Sequence, residues 1–226
     1  MPTIRFLGHA CFELTEGDVN VLIDPFLTGN PKAAASANDL NPTHIFLTHG
    51  HPDHYGDTVD IAKRTGAEVV TLTETAGELA DHHDGVKDPN LGGTVEYDWG
   101  WVKFVPAWHT STTPNGTVAT PAGVVVEIGG KTIYHLGDTA LFSDLKLVAH
   151  RGNPIDVALM CIGGHYTMDP TDAAVAAELI GAKQVIPCHY NTFPPIEQDD
   201  QAFKSDVESK TSSEVVILQP GDTHSV

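Results

Sequence analysis

Short apolar, β-branched runs recur along the chain, and most end on an ionisable or turn residue. They occupy 19–25 (VNVLIDP), 44–49 (HIFLTH), 101–109 (WVKFVPAWH), 131–138 (KTIYHLGD), 156–165 (DVALMCIGGH), 184–190 (QVIPCHY) and 214–222 (EVVILQPGD). Their length and residue types predict strands. Between them, 56–66 (GDTVDIAKRTG) has apolar positions at helical spacing and a glycine stop. Segment 169–182 (DPTDAAVAAELIGA) offers Asp169 or Thr171 as a cap, has an early Pro170 and reaches Gly181 past its end. Both predict helices. The first 25 residues read as two strands linked by a hairpin across TEGD, 15–18. Strands alternating with helices predict a mixed α/β protein whose sheets are covered by helices.

The ends of these strands carry the candidate chemistry. In open α/β folds, ligands gather at the carboxyl ends of strands, where loops bring distant side chains together. His49, His109, Asp138, His165 and His189 all fall there. The densest cluster is THGHPDH, 48–54, with His49, His51, Asp53 and His54 in one short stretch. On a straight strand these side chains would point to opposite faces. A tight turn running into a helix lets them converge, and Gly50, Pro52 and Gly56 provide the backbone for it. Neutral imidazole and carboxylate are preferred ligands of zinc and related divalent ions. A two-metal site needs about six or seven donors, and the strand ends supply enough.

Composition narrows the partners. The 226 residues fit one domain, 1–226, with no repeat, low-complexity tract or long linker dividing them. A formal charge of −18, from 30 acidic against 12 basic residues, repels phosphate backbones, so nucleic acid is not an expected partner. The acidic runs 96–100 and 197–208 read as solvated surface. No segment approaches the roughly 18 consecutive apolar residues of a membrane span, so no membrane partner is expected. The N-terminus enters strand-like alternation without a signal-peptide pattern, which predicts a cytoplasmic location. Cys11, Cys161 and Cys188 are widely spaced and odd in number, which suits reduced thiols in apolar strands; only Cys188 adjoins a candidate ligand.

The order H-x-H-x-D-H at 49–54, with Asp24 upstream and His109, Asp138 and His189 downstream, resembles the metallo-β-lactamase superfamily. LGHACF (7–12), WHTS (108–111), YHLGDT (134–139), GGHYTMDP (163–170) and CHYNTFPPI (188–196) are similar to the UPF0173 metal-dependent hydrolases, relatives of the ascorbate-lactonase-like branch. The resemblance runs from the strand at 19–25 through His189. It implies a four-layer αββα sandwich and a centre of two divalent metal ions. His49, His51 and His109 would hold one ion, Asp53, His54 and His189 the other, and Asp138 would bridge them. Zinc is the first candidate, with manganese, iron, cobalt and nickel compatible with the same donors. Asp24 would orient a ligand. His9 and His165 lie outside the implied ligand set and are expected to line the cleft, His165 as a substrate hydrogen-bond donor or a proton donor. His82, His83, His150 and His224 are expected in solvent, and His44 and His135 packed beside strands.

The implied activity is metal-dependent hydrolysis of an ester, lactone or phosphodiester bond in a small molecule. A metal-bridged water of lowered pKa would be the nucleophile, and Asp53 and Asp138 would enter the chemistry as ionised ligands. No nucleophile elbow, phosphate loop or dinucleotide fingerprint competes with this reading. A non-catalytic metal scaffold or sensor, and a metal-dependent redox enzyme, are the alternatives. Loops 26–40, 74–94, 110–120 and 165–170 are expected to build the pocket, and relatives of this branch commonly assemble, so a homo-oligomer is anticipated.

Overall fold

The computed structural model describes residues 1–149 and 154–226, so the reading of His150 beside Arg151 as solvated lies outside the described residues. Two seven-stranded sheets pack face to face. The first contains β1 (Thr3–Gly8), β2 (Cys11–Glu16), β3 (Val19–Ile23), β4 (His44–Phe46), β5 (Glu68–Val70) and β6 (Val86–Lys87). The second contains β7 (Thr94–Tyr97), β8 (Gly100–Pro106), β9 (Ala122–Ile128), β10 (Lys131–His135), β11 (Val157–Cys161), β12 (Gln184–Cys188) and β13 (Glu214–Val215). A last strand, β14 (Thr223–Ser225), returns to pair antiparallel with β1. In each sheet an antiparallel portion gives way to a parallel one: β3 to β6 are parallel, as are β10 to β13.

Alternation along the strands explains the layers. Inward residues such as Phe12, Phe46, Phe104, Val157 and Ile186 form the core between the sheets. On the outer face of the first sheet, Leu22, Ile45 and Val69 are covered by α1 (Pro52–Tyr55), α2 (Thr58–Thr65) and α3 (Thr73–Ala80), through Tyr55, Ile61, Ala62 and Leu79. On the outer face of the second, Tyr134, Ala158 and Met160 meet α4 (Pro170–Ile180) and α5 (Asp200–Lys210), through Ala173, Ala177, Phe203 and Val207. The order helix, sheet, sheet, helix is the four-layer αββα sandwich of the metallo-β-lactamase type. Each fully buried Phe, Leu or Ile contributes about 1.5–3 kcal/mol by leaving water, so these three clusters account for the layering.

Four details differ from the sequence reading. The first 25 residues form three strands, because β1 reverses into β2 at His9–Ala10 before the expected β2–β3 hairpin. Segment 74–94 opens with α3 and does not line the cleft; its small residues and Gly77 give a weak apolar pattern that only packing completes. The acidic run 197–208 contains most of α5, where Phe203 and Val207, one turn apart, face inward while the carboxylates stay outside. Only Glu214–Val215 of 214–222 pair as strand, since Pro220 and Gly221 end the run. Among the described residues, no helix is long and apolar enough to cross a membrane.

Candidate metal centre

The cluster 48–54 adopts the turn its glycines and proline permit. β4 ends at Phe46, His51 is extended (φ −61°, ψ 146°) and caps α1, and Pro52 opens that helix. Gly56 closes it with φ 38°, where a Cβ would lie 2.3 Å from the Pro25 carbonyl oxygen; only glycine fits. The neighbouring loops are stitched to this turn by main-chain donors. Gly50 N–H donates to Ser111 Oγ at 3.0 Å, Trp108 N–H to Thr139 Oγ1 at 3.0 Å, and His189 N–H to the His9 carbonyl at 2.7 Å. His9, Asp24 and His189 are themselves held at φ 59°, 48° and 55°. Non-glycine residues adopt this left-handed region rarely; here His9 and His189 bring their rings to Asp53, and Asp24 reaches Thr48 and His54 from behind.

Three overlapping groups of donors result, each with its ligand atoms within 4.8 Å of one another: His49, His51 and His109; His49, His54 and Asp138; and His9, Asp53, His54 and His189. Asp138 is the common neighbour. Its carboxylate lies 3.1 Å from His189 Nε2, 3.3 Å from His54 Nε2, 3.5 Å from His109 Nε2 and 4.0 Å from His49 Nε2. His49 Nε2 and His51 Nδ1 approach to 3.0 Å. All seven residues of the implied ligand set therefore lie together.

Hydrogen bonding dictates which ring nitrogens face the centre. Asp24, fully buried, accepts from Thr48 N–H at 2.8 Å, Thr48 Oγ1–H at 2.7 Å and His54 Nδ1–H at 2.7 Å. With the Thr48 hydroxyl proton committed to Asp24, its oxygen accepts from His49 Nδ1–H at 3.0 Å. Both imidazoles thus present Nε2 toward Asp138, with Nδ1 held from behind, a common way of orienting a ligand. Asp24 consequently supports two candidate ligands, one directly and one through Thr48. Nearby, His135 accepts from Gly137 N–H and donates to the Ala10 carbonyl, at 3.0 and 2.9 Å. It ties the Asp138 loop to the β1–β2 turn and takes no part in ligation.

The donor set fits a divalent metal on its own evidence of unmet need. His54 Nε2, Asp138 Oδ1 and both ring nitrogens of His189 are buried and make no well-formed hydrogen bond, an expensive state for polar atoms unless something else binds them. Electrostatics divides the residues. Burial lowers the pKa of His49 well below its usual value and lowers those of His51 and His109, keeping these rings neutral. For His189 burial acts the same way, but Asp138 and Asp53 overcome it and push the pKa up to about 9. His54 is likewise raised, against burial, by Asp138 and Asp24. Asp138 would be raised by burial, yet His189 and His54 hold it well below the carboxylate range, and His189 and His9 do the same for Asp53.

His9 is the site residue that sequence reasoning undervalued. It is 1% exposed, its Nε2–H donates to Asp53 Oδ2 at 3.1 Å, and its Nδ1 meets Thr192 Oγ1 at 2.9 Å. The missed β1–β2 reversal hid it: His9 too sits at a strand end. His165 is exposed, its ring edge-on to Tyr166 at 4.5 Å, and it stands outside the donor cluster. The cleft above the donors has a volume of about 480 Å³, with Phe26, Pro52, Thr110, Tyr166 and Phe193 around the ligands. Cys188 is buried and free, inside the inter-sheet core. Of the other histidines, His82 is exposed, His83 bonds the Ala67 carbonyl, His224 bonds Gln184, and His44 packs on Tyr97 and Trp99. None joins the centre.

A family model of the β-lactamase superfamily domain matches residues 3–189. A UPF0173 metal-dependent hydrolase of Thermus thermophilus is 49% identical over 224 residues, 98% of each chain. Another, from Thermococcus onnurineus, is 46% identical over 223 residues, again 98% of each. Among solved structures, a novel metallo hydrolase from the hyperthermophilic archaeon Ignicoccus hospitalis is similar with a TM-score of 0.90 at 33% identity, covering 99% of this chain and 97% of that one. Sandwich, donor order and full-length likeness agree: the chain belongs to the metallo-β-lactamase superfamily and, within it, to the UPF0173 family.

Proposed function

We propose that this protein hydrolyses an ester, lactone or phosphodiester bond of a small molecule with two divalent metal ions. The observation that supports it most is Asp138, one buried carboxylate within 4.0 Å of histidines from both halves of the donor cluster. His49, His51 and His109 would hold one ion, Asp53, His54 and His189 the other, and Asp138 both. Zinc is the first choice for such donors. When bound, paired ions of this kind supply Lewis acidity and a hydroxide source at neutral pH.

The chain's own residues prepare that chemistry. Asp24 and Thr48 fix the tautomers of His54 and His49, and His9 restrains Asp53. Asp53 and Asp138, held ionised by neighbouring histidines, act as ligands and leave proton donation to another group. His165 fills that role where a leaving group projects past Tyr166 toward solvent. Three buried free cysteines suit a reducing cytoplasm, and the acidic surface suits a small-molecule partner better than nucleic acid.

The test is elemental analysis of natively purified protein joined to a panel of esters, lactones and phosphodiesters. Two ions per chain, with hydrolysis that disappears in a folded Asp138→Ala variant, is the expected result. A fully metallated protein that cleaves none of them would favour a scaffold or sensor, and iron with oxygen consumption would favour redox chemistry.

A further inference from the structure

The walls of the cleft narrow the substrate, given the hydrolase reading above. We propose that the preferred substrate is a carboxylic ester or lactone whose non-reacting part is uncharged and apolar, seated against Phe26 and Phe193 with Tyr166 at the outer edge.

These walls are built in advance. The Phe26 and Phe193 rings lie 6.5 Å apart, and each packs edge-on against His9, at 5.8 and 5.6 Å. His9 is buried and anchored at both ring nitrogens, to Asp53 and Thr192, so the aromatic pair rests on a fixed support beside the candidate ligands. Pro52, the first residue of α1, adds a further apolar surface. A cleft of about 480 Å³ falls in the usual range for small-molecule sites, where apolar walls supply affinity and a few polar groups set orientation.

Charge points the same way. Beyond the donor residues, the lining offers only neutral polar groups, the Thr110 hydroxyl and the Tyr166 phenol; among the described residues, no lysine or arginine lines it. Lys32 lines separate depressions with Asn191. A phosphate or carboxylate on the non-reacting part would lose water and gain no cationic partner, in a protein of net charge −18. An apolar group would gain the full benefit of leaving water.

The experiment compares methyl phenylacetate with methyl acetate, and a sugar lactone with its phosphorylated form, on the metal-loaded full chain with acid release followed by pH-stat. The phenylacetate should exceed the acetate by about tenfold or more in kcat/KM, and phosphorylation should not improve the lactone. In Phe193→Ala that selectivity ratio should fall about tenfold, and Phe193→Leu should restore most of it. A preference for the phosphorylated lactone, or an unchanged ratio in Phe193→Ala, overturns the proposal. Absence of any hydrolysis would strike the enzymatic reading instead, so binding is measured separately by calorimetry with uncharged phenylacetamide. Binding weakened about tenfold in Phe193→Ala supports the apolar seat; no binding to the unmutated protein overturns it.

Discussion

The two halves of the donor cluster solve the same problem differently. His49, His51 and His109 are kept neutral by burial, so their lone pairs are free at neutral pH. Asp53, His54 and His189 sit in a web of opposite charges, with His54 and His189 drawn toward protonation by Asp24, Asp53 and Asp138. The first half presents neutral rings, whereas the second balances its carboxylates against protonated histidines. Under the two-ion reading proposed above, loading the second half would displace those protons and loading the first would not.

The largest expected effect comes from removing the group the halves share. Asp138→Asn should cut hydrolysis by about a thousandfold or more, equivalent to roughly 4 kcal/mol of lost transition-state stabilisation. Elemental analysis should find fewer ions per chain in a protein that still folds. Retention of two ions with full activity would remove Asp138 from the shared position.

Next comes pH, where the halves should separate. Below a pKa of about 9, His189 holds a proton that an incoming ion must expel. Affinity of that half should therefore rise with pH up to about 9, by about tenfold per unit for each proton displaced. The three-histidine half, with pKa values lowered from 6.5, should bind independently of pH above neutrality. Calorimetry in buffers of different ionisation enthalpy counts the protons; equal release from both binding events would erase the distinction.

Asp24→Asn sharpens it further. Because Asp24 reaches His54 directly and His49 only through Thr48, affinity should fall in both halves, by about 10–100-fold, and more in the second. Metal titration of the variant and of Thr48→Val, which cuts the path to His49 but keeps the direct bond between Asp24 and His54, separates the routes. The smallest effect belongs to His165→Ala. A proton donor in an enclosed site is worth about a hundredfold or more, but His165 is exposed, water can substitute, and kcat should fall only about tenfold. A variant with unchanged kcat would make His165 a bystander.

Much of this was legible in the chain. The ligating types clustered at 49–54 and recurred at strand ends, since apolar runs mark strands and the polar residue ending each run marks a loop. His9 was harder to read because the β1–β2 reversal occurs in a left-handed residue that carries no glycine signal of its own, although Gly8 precedes it. α5 was hidden because Phe203 and Val207 are too few to stand out among carboxylates. The loop at 74–94 looked like pocket wall only because α3 has a weak pattern, whereas the expected loops 26–40, 110–120 and 165–170 each send one residue into the cleft, Phe26, Thr110 and Tyr166.

By itself the sequence determined a mixed α/β architecture and the crowding of ligating residue types at strand ends, because hydrophobic alternation and ligand chemistry are local properties of residues; the four-layer sandwich and the proposed ligand set came from the resemblance to a known superfamily. Only the tertiary structure decided which nitrogen each histidine presents, that Asp24 serves both halves through Thr48, and that His9 restrains Asp53. Those are matters of hydrogen-bond direction between residues far apart in the chain, such as His9 and Thr192, and nothing in a linear pattern records direction.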